Sequence, residues 1–189
     1  KMVIYTAVAT GNDPTRPIIS GPLITIKPEN ISCVTTDGKR LAMISQSIAG
    51  NCEGSFVIPP KTNNALMKLM AGDGDVEVSF DEKTVQFDFD NEFGQPTIIC
   101  SKLIEGRYPN YQAIIPNSFE HEISLPREEF HNALKRITLI LTDSDHGVKL
   151  SFTNDCLKMH AVTEDDESLE TMDISHDGAE LTAAFNPIF

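Results

Sequence analysis

Two stretches of this 189-residue chain repeat one another in order. Phe56-Val57-Ile58-Pro59 is followed by a helical pattern and then by Asp75-Val76-Glu77-Val78-Ser79-Phe80. Ile123-Ser124-Leu125-Pro126 is followed by another helical pattern and then by Gly147-Val148-Lys149-Leu150-Ser151-Phe152. A recurring unit of one helix and three or four antiparallel strands is therefore expected in nearly three copies. They begin at the N-terminus with a shortened helix, near Pro59 and near Pro126. A helix with one apolar stripe and strands with one apolar face must both bury them, and paired copies do so by laying their helices on one side of the joined sheets. The fold class is α+β.

The periodicities place the elements. Val3, Ile4, Ala7 and Val8 share a helical face that ends at Gly11-Asn12-Asp13-Pro14. Strand-like segments follow at 23–27, 31–36, 40–45 and 55–58. A helix from Lys61 to Ala71 carries Leu66, Leu69 and Met70 on one side. Val76, Val78, Phe80 and then Val85, Phe87, Phe89 alternate with polar residues, the signature of two strands with one buried face. A strand at 97–104 leads into the loop Glu105–Tyr111. The helix from Arg127 to Leu141 bears Phe130, Ala133, Leu134, Ile137 and Leu141 on one stripe. Strands at 147–152, 156–161, 169–174 and 181–185 complete the chain. The division expected is a complete domain over 1–117 and a partial one over 118–189, and both ends read as cuts through larger units.

Thr35-Thr36-Asp37-Gly38-Lys39-Arg40-Leu41-Ala42 is a hairpin signal, because Gly accepts the positive φ of a tight turn. It leaves two cations at a strand end. The net charge is −13, with 28 acidic against 15 basic side chains, which by itself argues against a nucleic-acid binder. The distribution argues otherwise. The helix of the second unit shows Lys61 and Lys68 outward and that of the third His131, Lys135 and Arg136, while acids gather on hairpins and strands. Cationic helices on one surface, with acidic sheets on the other, would offer phosphate contacts without base readout.

Catalytic patterns are scarce. Asp143-Ser144-Asp145-His146 places carboxylates and an imidazole within four residues, and a hydrolase using Asp143, Asp145 and His146 is the enzyme alternative. Loop chemistry between a helix end and a strand accounts equally for these residue types. There is no nucleophile elbow, phosphate loop, zinc motif or dinucleotide fingerprint, and the histidines and four separated cysteines lack metal-ligand spacing. Reduced thiols are expected. No apolar run approaches the ~18 residues of a membrane span.

Four stretches in the same order and spacing resemble the bacterial β sliding clamp family, the processivity subunit of the replicative DNA polymerase. They are Thr15-Arg16-Pro17-Ile18-Ile19-Ser20-Gly21, Thr36–Ala42, Ser101-Lys102-Leu103-Ile104-Glu105-Gly106-Arg107-Tyr108-Pro109-Asn110-Tyr111, and Phe185-Asn186. The resemblance implies a DNA-clamp fold and a non-enzymatic role with no cofactor. It implies a cytoplasmic homodimer ring of three-domain subunits, whose helices line a hole around double-stranded DNA. This chain would supply the middle domain and most of the third. Arg16, Lys61, Lys68, Lys135 and Arg136 are then the expected DNA contacts. The resemblance also implies a peptide pocket for the polymerase, the clamp loader and other clients, built here from Ile19, Thr36, Gly38, Lys39, Arg40, Leu41, Pro109 and Ile114. Ala113 stands where the family commonly has a basic residue. A module that docks peptides without enclosing DNA is the alternative within this reading.

Overall fold

The computed structural model of the chain describes residues 2–70, 74–142, 147–176 and 178–186. Asp143, Asp145 and His146, the residues of the hydrolase alternative, lie outside them. The chain divides into two compact units, 1–115 and 116–189.

The first unit opens with α1 (Met2–Thr6), which tightens into a 3-10 turn over Ala7–Ala9. A second 3-10 turn, Pro17–Ile19, leads into β1 (Leu23–Lys27), β2 (Asn30–Thr36), β3 (Leu41–Ser47) and β4 (Gly54–Val57). Their order in the sheet is β3-β2-β1-β4, all antiparallel. Helix α2 (Pro60–Leu69) follows, then the antiparallel sheet β5 (Val76–Phe80), β6 (Thr84–Asp90) and β7 (Pro96–Lys102).

One core joins both sheets to α2. Ile24, Ile26, Cys33 and Phe56 meet Val85, Phe87 and Phe89 around Leu66, which is 2% exposed. The Phe56 and Phe80 rings, 4.9 Å apart, bridge the sheets, a tilted arrangement that aromatic quadrupoles favour. α1 is tied to β2 by Thr6, whose hydroxyl lies 3.1 Å from the Cys33 sulfur and whose carbonyl accepts from the Thr35 hydroxyl. Thr62 and Ser101 join α2 to β7 through a 2.6 Å hydroxyl pair.

The second unit is α3 (Arg127–Ile137), a 3-10 turn Thr138–Ile140, and β8 (Val148–Phe152), β9 (Cys156–Val162), β10 (Glu167–Asp173) and β11 (Leu181–Phe185). The sheet order β10-β9-β8-β11 repeats the first sheet's 3-2-1-4 arrangement. Ala133 and Ile137 of α3 pack on Val148, Leu150, Leu157, Met159 and Met172.

Two expectations need correction. The third helix ends at Ile137 rather than Leu141, because the Thr138 hydroxyl returns to the carbonyls of Leu134 and Lys135 (2.9 and 3.1 Å). Such side-chain bonds compete with the helical ladder. Ile123–Leu125, the counterpart of β4 in the sequence repeat, forms no strand among the described residues and packs Ile123 and Leu125 into the second core. The outward faces of the sheets are not uniformly acidic. In β5–β6, Glu77 and Asp88 are cross-strand partners on the face away from the core. In the second unit Lys149, Lys158 and His160 occupy that face, while Glu170 turns toward α3.

Candidate docking site and cationic helix faces

The β2–β3 connection is built around Asp37. Its carboxylate accepts the backbone N–H groups of Lys39 and Arg40, each at 2.9 Å, and the Arg40 guanidinium at 3.1 Å. Partial burial opposes ionisation, but these bonds outweigh it and hold the Asp37 carboxyl below its ordinary value. Thr36 donates to the Arg40 carbonyl at 2.7 Å and accepts from the Gly38 N–H at 3.1 Å. Gly38 has φ +88°, which only glycine adopts without strain. The hairpin tip is therefore a fixed polar knot.

Leu41, where β3 leaves the knot, joins an apolar cluster on the sheet face opposite the main core. Leu23, Val34 and Val57 form its buried centre, and Ile18, Ile104, Tyr108 and Tyr111 pack around them. Segment 103–111 thus straps the sheet. The Tyr108 hydroxyl reaches the Val34 carbonyl at 3.4 Å, and burial pushes its pKa up to about 12.

The residues expected to form a pocket divide. Thr36, Gly38, Lys39, Arg40 and Leu41 are brought together by the hairpin. Pro109 sits on the strap, and Ile114 follows it with 66% of its surface exposed. Ile19 is 1% exposed and stands outside that apolar cluster, with the Gly11 N–H donating to its carbonyl at 3.1 Å. Ile18, Tyr108 and Tyr111 belong to the same apolar cluster and were missed. Period-two reading of β2 could have found their floor, Val34, but not the strap that covers it.

Arg16, expected among the DNA contacts, lies at the start of the 3-10 turn Pro17–Ile19 and not on an α-helix. Its guanidinium pairs with Asp13 at 2.8 Å, and a Cβ built on Gly38 would lie 3.5 Å from it. Hydrogen bonds from Thr15 and from Arg16 lower the Asp13 pKa to about 2. On α2, Lys61, Asn64 and Lys68 are exposed along one stripe, while Thr62, Asn63 and Leu66 are buried. On α3, Lys135 is exposed, but Arg136 makes a two-pronged bond to Glu170 of β10 (2.8 and 2.7 Å). That cation is already engaged with a carboxylate.

Helix-backed antiparallel sheets, with the 3-2-1-4 sheet recurring in both units and a strapped apolar site beside a hairpin in the first, define a clamp-type fold. The family model for the DNA polymerase III beta subunit, central domain, matches residues 1–110, and that for its C-terminal domain matches residues 112–189. The chain belongs to the DNA polymerase III beta subunit family. Among curated relatives, the beta sliding clamp of Chlamydia pneumoniae is 29% identical over all of this chain and 51% of its own length. That of Escherichia coli K12 is 26% identical over 98% of this chain and 50% of its own length. The crystal structure of the Pseudomonas aeruginosa DNA polymerase III subunit beta matches with TM-score 0.87 at 24% identity, covering 98% of this chain and 51% of that one. The Bartonella birtlesii DnaN sliding clamp, solved bound to griselimycin, matches with TM-score 0.86, also at 24% identity and with the same coverage. The chain spans about half the length of the curated relatives it matches.

Proposed function

We propose that these residues are part of a sliding clamp that encircles duplex DNA, tethers the replicative polymerase and docks other clients through a hydrophobic peptide site. Residues 1–117 act as its complete middle domain and 118–189 as the larger part of its third. The role is topological and not catalytic. The observation that carries this reading is the run of two adjacent family domains in order along the whole chain. The cation stripe of α2 supports it: Lys61 and Lys68 face away from the core and can approach phosphates without reading bases. Lys135 does the same on α3. Few phosphate contacts mean weak, salt-sensitive attraction, which suits a ring that must slide and agrees with a net charge of −13.

The client site centres on Thr36, Gly38, Lys39, Arg40 and Leu41, with Pro109 and Ile114 on the strap side and Arg16 at the rim. A few polar groups beside an apolar wall suit a short hydrophobic peptide. Polymerase, clamp loader and other clamp-motif proteins are the partners, in a cytoplasmic homodimer ring. Among the described residues no helix is long and apolar enough to cross a membrane.

The test is retention of the full-length protein on circular and linear duplexes after loading. Persistence on circles with rapid loss from linear ends is expected. Equal loss from both refutes encirclement. Binding of a client peptide, abolished by Leu41→Asp, tests the docking site separately.

A further inference from the structure

On the outer face of the first sheet, one cross-strand row consists entirely of hydroxyl side chains. Ser45 is opposite Ser32, Ser32 opposite Thr25, and Thr25 opposite Ser55, so the row crosses all four strands. The next row, Met43–Val34–Leu23–Val57, is apolar, and the strap 103–111 packs on it. The hydroxyl row is the floor of an open groove of about 820 Å³, walled by residues 103–112. Thr25 and Ser55 are linked at 3.2 Å, and Ser45 is exposed.

We propose that this groove seats the uncharged polar residues flanking a client's docked apolar motif. The inference rests on the client site described above and extends it. Three observations select this occupant. First, the groove continues from that site: Met43 lies two residues beyond Leu41 on the same face of β3, and Pro109 stands on the groove's wall. Second, its charges nearly cancel, with Lys27 and Arg107 against Asp81, Glu82 and Glu105, although the chain as a whole is strongly acidic. Neither a cationic nor an anionic segment gains there. Third, hydroxyls both donate and accept, so a row of them serves peptide amides and carboxamide side chains equally. Three strand spacings of about 4.8 Å make the row about 14 Å long, room for about four extended residues at roughly 3.4 Å each.

The experiment uses the full-length protein and five fluorescent peptides. One is an apolar Leu- and Phe-bearing hexapeptide, two extend it by Ser-Gln-Gly-Ser at its N-terminus or its C-terminus, and two carry four Glu residues in place of those extensions. One of the two Ser-Gln-Gly-Ser extensions should tighten binding about tenfold, the gain that one or two net hydrogen bonds confer. Ser45→Arg, which fills the groove from an exposed position, should erase that gain and leave the short peptide unchanged. Leu41→Asp should remove both. Equal affinity of short and extended peptides overturns the groove alone. So does a gain that survives Ser45→Arg, or one matched by the Glu extension. Failure of the short peptide to bind wild type refutes the client site, and the groove falls with it.

Discussion

Gly21 joins the 3-10 turn Pro17–Ile19 to β1, and it has no room for a side chain. A Cβ built on it would lie 1.8 Å from the Ile58 carbonyl oxygen, whereas real Cβ contacts do not fall below 3.0 Å. Gly21→Ala must therefore open this contact by at least 1.2 Å (3.0 minus 1.8). The obstacle is backbone and cannot rotate away. Ile58 is 0% exposed, its N–H donates to the Pro22 carbonyl at 3.2 Å, and Pro59-Pro60 fixes the next step into α2. Overpacking a core typically costs 1–3 kcal/mol, and an unyielding carbonyl puts this substitution at about 3 kcal/mol. At roughly 4 °C or more per kcal/mol for a domain of this size, the first unit should melt about 12 °C lower. Urea unfolding followed by circular dichroism measures it: the midpoint should fall with the slope unchanged. A loss below about 0.5 kcal/mol, the range of a neutral surface change, would refute the close-approach argument.

Ile137→Ala should destabilise the second unit by about 2–5 kcal/mol, since Ile137 is 0% exposed at the helix–sheet contact; a urea midpoint shift equivalent to less than about 1 kcal/mol would contradict that packing. Tyr108 is held neutral by burial, its pKa raised from 10 to about 12. A raised value means stability present below pH 10 and lost as pH rises through the folded pKa, so wild type should lose more stability over that window than Tyr108→Phe in alkaline urea titrations, and equal losses would refute it. Glu170 is held below its ordinary 4.5 by the bonds from Arg136. A depressed value means stability present above pH 4.5 and lost as pH falls, so Glu170→Gln should remove that acid sensitivity of the second unit, and identical acid titrations of the two proteins would refute it. Freed of Glu170, Arg136 should also steepen the salt dependence of DNA association by about one ion; an unchanged slope would mean that it never meets phosphate.

What could be read directly from the sequence was whatever depends on neighbours along the chain. The alternation of Val85, Phe87 and Phe89, the stripe through Ala133 and Ile137, and the Asp-Gly turn each declare one element and the face it buries. Helix ends were less legible, because Thr138 has a choice of carbonyls and only the folded turn settles it. The repeat and the family motifs carried the fold class, since both units obey the same demand to cover a sheet with a helix.

The tertiary structure alone decided which side chains share a surface. Nothing in Thr15–Gly21 says that Arg16 reaches across to Gly38, nor that Arg136 finds Glu170 at a separation of 34 residues. Likewise, Ser45, Ser32, Thr25 and Ser55 are scattered through four strands, and strand register alone aligns them. Local pattern determines what a residue prefers to face; register and packing determine whom it meets. Ion pairs, pockets and grooves depend on those meetings.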